Sequence, residues 1–443
     1  MSSTPPQLLR PDYVPASDYI SDAFAALERE KLWPKVWLIA AREEQFKEKG
    51  DFVRFDIGGE MIVIVRKKDD SLGAFYNVCQ HRGRVLVEEE TGNLNGQFVC
   101  RYHNWSYDYD GTPRYIRNRE DWDGCPDVSN EALSLKKVRV DTWGGWVWVA
   151  MDPDIEPLHD YLAPIPEALK PFEFENCRIT WHVTQRVNCN WKTGIEAFNE
   201  AYHVEGTHPQ MVKYGGTLAK APAYPVGKHA SIRISRNSIS QANPLIRANP
   251  DPRQNIVDVT RELAPTLKAL YVDHYERAAE RLLTEVAPDA DVGKEFRRLH
   301  MEEMALAGAR WPATLTDEHI AAVGDTWHIF PNSVLLASFN GALWYRCRPV
   351  DTEWCLFDIW WLGRHAPGME PPVEHQYFPS VAAFKGTNPF LEQDFSNMES
   401  VQRGMRSRGF TAARTNPVQE AAISNLHRVI YDYIYGTDAT PAE

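Results

Sequence analysis

The sequence offers no run of eighteen apolar residues. The candidate stretch around Ser333 to Leu343 is interrupted by Ser338, Asn340 and Gly341, so no membrane-spanning helix is expected. Met1 to Asp12 lacks the basic stretch followed by an apolar one that marks a secretory signal, and a cytoplasmic protein is expected. Positive charge is scarce: 48 Lys and Arg stand against 61 Asp and Glu, for a formal net charge of −13, with the acids dispersed along the chain. Such a surface repels nucleic-acid phosphates and anionic lipid, while an electron-donor protein can still dock on a local basic patch. Cysteine is sparse too. Seven residues, Cys79, Cys100, Cys125, Cys177, Cys189, Cys347 and Cys355, are too few and too irregularly placed to staple a chain of this length. Internal repeats and low-complexity tracts are missing.

What remains is a chain of 443 residues, 43% hydrophobic and 12% aromatic, long enough for two domains with one large core. Helical spacing at Asp18, Ala23, Phe24, Leu27 and Leu32 predicts an N-terminal helix over 18–31. From Gly50 the pattern alternates. Phe52, Val53, Phe55 and Ile57, then Gly58-Gly59, then Met61 to Val65 read as a hairpin. Further short strands are expected at Gly73–Val78, Gln97–Val99, Ser106–Tyr109 and Gly144–Ala150, making 39–153 a small all-β domain. Pro157 to Pro171 is proline-rich and reads as a linker. A helical period runs from Asn190 through Val204. Two amphipathic helices are expected at Thr260–Val286 and Asp291–Ala307, within a helical layer over 240–325. Alternation returns from Trp327 to Trp361, and a last helix is expected over Pro417–Tyr435.

The sharpest chemical signal is Cys79-Gln80-His81 and Cys100-Arg101-Tyr102-His103, with eighteen residues between the two loops. Each loop offers one thiolate and one imidazole. Two Cys on one iron and two His on the other make the Rieske form of a [2Fe-2S] cluster, whose neutral imidazoles raise its potential. The competing reading is a structural zinc site, although zinc modules usually present paired Cys followed by paired His.

The second signal is Glu200-Ala-Tyr-His203-Val-Glu-Gly-Thr-His208. On one continuous helix, positions five apart point about 140° away from each other and do not converge. A helix ending near Gly206 would turn His208 back beside His203, with Glu200 on the same face. Two imidazoles and one carboxylate leave open positions on ferrous iron for dioxygen. Spacing alone does not choose among Glu200, Glu205 and Asp394 for the carboxylate. A lone helical histidine is more often part of the core or the surface; the cluster motif upstream is what raises the metal reading here.

On these motifs the chain resembles the catalytic (alpha) subunit of Rieske non-haem iron oxygenases, the aromatic-ring-hydroxylating dioxygenases with related monooxygenases and demethylases. The resemblance runs over nearly the whole chain. It includes Asn190-Trp191-Lys192 ahead of Glu196 and Phe198, Ile329-Phe330-Pro331-Asn332, and Glu392-Gln393-Asp394 followed by Glu399 and Gln402. It implies an α+β fold, with a small all-β Rieske domain at 39–153 and a larger helix-grip catalytic domain built from 1–38 and 154–443. The latter is an antiparallel sheet with helices and the inserted helical layer.

The resemblance also implies that Cys79, His81, Cys100 and His103 hold the cluster, and that His203, His208 and Asp394 hold a mononuclear Fe(II). Glu200 falls where the family bridges the first iron histidine to a Rieske histidine of a neighbouring subunit, His203 and His103 here, within a head-to-tail homotrimer. Dioxygen is the implied co-substrate. Electrons come from NADH or NADPH through a reductase or ferredoxin, and a small beta subunit is a further implied partner. The implied reaction is hydroxylation of a largely apolar, aromatic small molecule, with Phe198, Tyr202, Trp327 and Phe395 as candidate pocket residues. Monooxygenation or demethylation of a non-aromatic or alkylated substrate is the alternative, and an electron-transfer Rieske protein without oxygenase activity is the rival from another class. The chain departs from the family pattern at Arg101 and Asn104, where Pro and Gly are common, and at Glu200, where Asp is commoner.

Overall fold

The computed structural model describes residues 12–212, 221–233 and 249–436. Most of the Met1 to Asp12 stretch, where no secretory signal is expected, and the opening of the expected helical layer at 240–248 therefore lie outside the described residues. The fold is α+β, and the chain divides into two compact units: Leu27–Ala163, and Met1–Ala26 with Pro164–Glu443. No helix among the described residues is long and apolar enough to cross a membrane.

The smaller unit carries a seven-stranded antiparallel sheet that includes the hairpin Asp51–Ile57 and Glu60–Arg66. Gly58 and Gly59, both at positive φ, make its turn, as the alternating apolar pattern on either side required. A separate three-stranded sheet, Phe98–Val99, Ser106–Tyr107 and Pro113–Tyr115, carries the second Cys/His loop. Phe52, Val63, Phe75, Phe98 and Trp105 form the core on which both loops rest.

The larger unit is built on an eight-stranded sheet. Six of its seven strand pairings are antiparallel; the edge strand His375–Phe378 runs parallel to Arg178–Val187, which corrects the all-antiparallel expectation. One face of the strands Gly341–Pro349 and Cys355–Gly363 is covered by the helices Trp191–Glu196 and Pro389–Met405, through Phe198 on Tyr345 and Phe395 on Phe357. The closing helix begins only at Ala421, with 417–420 in a turn.

The chain's ends are tied to this core. Val14–Pro15 pairs with Ala412–Ala413, and Tyr431 donates its hydroxyl to Asp18 at 3.0 Å. The buried His427 lies 2.6 Å from Glu196 and 3.1 Å from the Tyr19 hydroxyl. Burial opposes a charge on this imidazole, but the Glu196 and Asp18 carboxylates prevail and hold its pKa up at about 9.

Helix boundaries depart from expectation where local breakers act. The first helix is split at Ser21, widens to a π-helical turn at Glu28–Leu32 and only then tightens to a 3-10 turn at Trp33–Lys35. The expected Thr260–Val286 helix is two, Pro252–Leu263 and Asp273–Glu285, with Pro265 in the gap, where a missing N–H and a ring clash end helices. Val292–Leu306 matches its expected span within a residue at each end.

His274 and His300 stack between Asp273–Glu285 and Val292–Leu306, with Nδ1 of His274 3.1 Å from Nε2 of His300. Burial, then the Arg277 charge, pushes His274 down to about 4; burial, then the His274 charge, pushes His300 down to about 3. Both folded values lie below the ordinary histidine value of about 6.5. Their stabilising contribution is therefore complete above that pH and is lost as pH falls through the window toward 4. Amide exchange in these two helices, corrected for intrinsic rate, is expected to accelerate across that window. Equal protection at both ends of it would show that the pair does not govern the stability of the layer.

Candidate metal centres

The first centre forms where two helical segments of the larger unit meet. Asn190 caps the helix Trp191–Glu196 by accepting the Lys192 N–H, while its amide donates to the Tyr19 carbonyl and its own N–H donates to Gln402. The helix stops at Glu196 instead of continuing to Val204. A new turn, Val204–Thr207, has His203 as its N-cap and His208 as its C-cap. Gly206 lies inside that turn, which ends at Thr207, so the chain leaves the helix next to Gly206. The two imidazoles flank a single helical turn, their ring centres 5.3 Å apart.

Asp394 arrives from the helix Pro389–Met405, capped by Asn388. One donor atom from each of His203, His208 and Asp394 lies within 4.8 Å of the others. His203 Nδ1 is 2.6 Å from Glu200 Oε1, and its backbone N–H donates to the other Glu200 oxygen at 2.9 Å. His208 Nδ1 is 2.8 Å from Gln393 Oε1, an oxygen that also accepts from the Gln210 amide. Both Nδ1 atoms thus donate to oxygen, which leaves both Nε2 lone pairs aimed at Asp394, at 3.6 and 2.9 Å. Neither Nε2 of His208 nor Oδ2 of Asp394 has a hydrogen-bond partner, although both are buried. Electron-rich atoms facing one another at this distance repel unless a cation lies among them.

The surroundings are rich in negative charge, which attracts a cation or, without one, a proton. Burial pulls the His203 imidazolium down, yet the Glu200 hydrogen bond and charge, with Asp394 and Glu420, raise it overall. Glu420 is itself raised, first by burial and then by Glu200 and Glu196. Phe390 stacks on His208 at 3.7 Å. Burial and the charge of Asp394 push the Tyr345 phenol well up. Of the four candidate pocket aromatics, Phe198, Phe395 and Trp327 are buried, whereas Tyr202 is 56% exposed. Glu205 faces outward, which leaves Asp394 as the converging carboxylate. Gln393, Phe390 and Tyr345 carry no role that the sequence alone reveals. Gln393 nonetheless adjoins Asp394 in sequence, a signal that was available.

The second centre lies wholly in the smaller unit, where the two Cys/His loops share one backbone design. The Gly83 N–H returns to the Cys79 carbonyl at 3.0 Å, and the Asn104 N–H returns to the Cys100 carbonyl at 2.9 Å. Both closing residues sit at positive φ, +73° and +60°. Asn is the side-chain-bearing residue that best tolerates that region, which explains how Asn104 serves where the resemblance puts Gly. The result turns His81 and His103 toward each other with their Nδ1 atoms 3.0 Å apart, and buries Cys79 and Cys100. Trp105 stacks on His81 at 4.6 Å. The Tyr107 hydroxyl accepts the Gln80 N–H and lies 3.3 Å from Cys79 Sγ. Burial, then the His103 charge, lowers the His81 pKa and favours the neutral, metal-binding imidazole. Arg101 points away, to Glu89 at 3.1 Å.

Family comparison then decides the identity. The family description "Ring hydroxylating alpha subunit (catalytic domain)" matches residues 174–436, more than half of the chain, and "Rieske [2Fe-2S] domain" matches 36–129. The chain belongs to the ring hydroxylating alpha subunit family. This alpha subunit is 30% identical over 200 residues to the glycine betaine monooxygenase oxygenase subunit of Pseudomonas aeruginosa, covering 45% of this chain and 46% of that one. It is 32% identical over 203 residues to the carnitine monooxygenase oxygenase subunit of Escherichia coli, covering 44% and 52%. Against the large oxygenase component of the naphthalene 1,2-dioxygenase system of Pseudomonas putida the figures are 32% over 197 residues, covering 43% of each. The alpha subunit thus spans about half the length of the curated relatives it matches.

Among solved structures, the quaternary ammonium Rieske monooxygenase in complex with L-carnitine shares its fold at a TM-score of 0.65 and 19% identity, covering 96% of this chain and 97% of that one. Naphthalene 1,2-dioxygenase with indole does so at 0.63 and 18%, covering 96% and 92%. The cofactors of the family are a Rieske [2Fe-2S] cluster and a mononuclear iron. Both donor sets of this alpha subunit fit them. Two buried thiols beside two facing imidazoles suit the cluster, and the orphaned Nε2 and Oδ2 in the larger unit suit a divalent cation.

Proposed function

We propose that this chain is the oxygenase component of a Rieske non-haem iron oxygenase that hydroxylates a largely apolar, aromatic small molecule with dioxygen. Electrons come from NADH or NADPH through a reductase or ferredoxin. The observation that carries this reading is the set of half-buried His203 with buried His208 and Asp394, in which both Nδ1 atoms are committed outward and the remaining donors share one small volume. In this reading Cys79, His81, Cys100 and His103 hold the cluster in a domain spanning 39–153, and His203, His208 and Asp394 hold the iron in a domain built from 1–38 and 154–443.

When bound, the cluster supplies electrons singly and the ferrous iron, with open positions, activates dioxygen. The chain's own residues do the positioning. Glu200 and Gln393 fix the tautomers of His203 and His208. Phe390 and the buried aromatics Phe198, Phe357 and Phe395 keep water from the reacting face. Glu200 further links His203 to His103 of a second copy in a head-to-tail homotrimer, with or without a small beta subunit. A cytoplasmic setting suits a chain whose cysteines form no disulfide among the described residues.

Electron paramagnetic resonance on the dithionite-reduced protein, before and after nitric oxide, tests the reading. A Rieske signal together with a nitrosyl signal from a separate high-spin ferrous site is the expected result. A Rieske signal alone in iron-replete protein would return the chain to electron transfer. Labelled dioxygen then separates two incorporated atoms, as in ring dioxygenation, from one, the reaction named for the glycine betaine and carnitine relatives.

A further inference from the structure

Beneath the helix Trp191–Glu196 the sheet gathers three cysteines that neither metal centre uses. Cys355 opens the strand Cys355–Gly363, Cys347 lies on the neighbouring strand Gly341–Pro349, and Cys189 follows the strand Arg178–Val187 on the other side. The Cys347 thiol donates to Cys355 at 3.3 Å, and Cys189 Sγ lies 3.8 Å from Cys355 Sγ. All three side chains are fully buried and free of disulfides. The helix rests directly on them at Gly194, where an added Cβ would meet Cys347 Sγ at 2.7 Å and Cys355 Sγ at 3.4 Å. That helix leads through Glu196 to Glu200 and His203.

We propose that this sulfur cluster is an oxidation site for hydrogen peroxide, with Cys355 the sulfur attacked and Cys347 the thiol that resolves it. The Cys355 thiolate attacks one peroxide oxygen and the O–O bond breaks. Cys355 becomes a sulfenic acid, and the departing hydroxide takes a proton to leave as water. The Cys347 sulfur then bonds to Cys355 and expels the second oxygen as water. Across both steps two thiols are oxidised by two electrons and one peroxide is reduced to two waters.

Three observations favour this chemistry. Cys355 is the middle sulfur, in reach of a thiol on each side, so the sulfenic acid meets a partner before a second peroxide arrives. Burial raises all three thiols, but S–H donation from Cys189 and Cys347 holds Cys355 below the ordinary thiol range while its neighbours stay well above it. Burial also selects the oxidant. The oxidant must be small enough to pass beneath the helix, which a neutral peroxide is and a bulky disulfide, needing an open line of attack, is not. The source of peroxide rests on the proposed function: dioxygen that takes two electrons and two protons without oxidising substrate leaves as hydrogen peroxide. The bond needs the sulfurs to close from 3.3 Å to about 2.05 Å, directly under Gly194.

The test adds peroxide to the intact holoprotein, so it does not depend on whether the oxygenase reading holds. After quenching, the protein is denatured, alkylated and peptide-mapped by mass spectrometry. The expected product is a Cys347–Cys355 cross-link that dithiothreitol removes, formed at peroxide doses no higher than those that oxidise the exposed Cys125. Cys347→Ala is expected to divert the cross-link to Cys189–Cys355, and Cys355→Ala to abolish it. Full alkylation of Cys189, Cys347 and Cys355 at doses that oxidise Cys125 overturns the proposal. So does sulfinic acid accumulating at Cys355 without a cross-link. Both of these outcomes are measured on the unsubstituted protein, so a variant that fails to fold leaves the test decisive.

Discussion

Asp394→Ala is expected to yield a protein with an intact Rieske spectrum, no mononuclear iron and no substrate-dependent oxygen uptake. The carboxylate supplies the one anionic donor of the triad, is almost fully buried, and leaves Oδ2 unpaired in the volume the metal would fill. Removing a partner that merely orients a metal ligand typically costs about 10–100-fold in affinity or activity. Losing the ligand itself should exceed that, because two neutral imidazoles do not balance a divalent ion in a buried site. Asp394→Asn keeps the shape and discards the charge, so it should fail almost as completely. Iron retained at the wild-type ratio in either variant, measured beside the cluster spectrum of the same sample, would remove Asp394 from the ligand set.

Glu200→Gln should leave both metal centres in place while slowing single-turnover electron delivery to the mononuclear site by about 10–100-fold. Both oxygens of Glu200 accept from His203, one from Nδ1 and one from the backbone N–H. An amide has one oxygen to offer, and its NH2 must face a donor, so one contact becomes repulsive and the imidazole loses its anionic partner. Losing that charge also removes what raises the His203 pKa against burial. Glu200→Asp, which keeps the charge at a shorter reach, should recover part of the rate. Single-turnover kinetics unchanged in the Gln variant would assign Glu200 a structural role only.

The cluster motif was legible because each loop carries its whole design locally: a cysteine, an imidazole two or three residues on, and a residue that accepts positive φ at Gly83 and Asn104. The proposed iron triad was only half legible. His203 and His208 sit in one short segment, but Asp394 and Gln393 reach them from a distant helix, and no local rule pairs a carboxylate with one histidine over another. Here the family resemblance supplied what spacing left open among Glu200, Glu205 and Asp394. The helical period expected from Asn190 through Val204 is broken after Glu196, whose side chain is held by Tyr19 and His427. Helical periodicity reads the face of a segment and is blind to such tertiary ties.

The lacing of the chain's ends sets an order of manufacture. The larger unit begins before the smaller one and is finished after it, since Leu27–Ala163 interrupts Met1–Ala26 and Pro164–Glu443. During synthesis the smaller unit leaves the ribosome with both Cys/His loops complete while Asp394, His427 and Tyr431 are still untranslated. On the proposed ligand sets, the nascent chain is competent to receive sulfur-bridged iron well before it has a pocket for the lone ion, and the opening Val14–Tyr19 segment waits for the last helix to close over it. Cells starved for cluster assembly and cells starved for free iron should accumulate different unfinished forms of this protein.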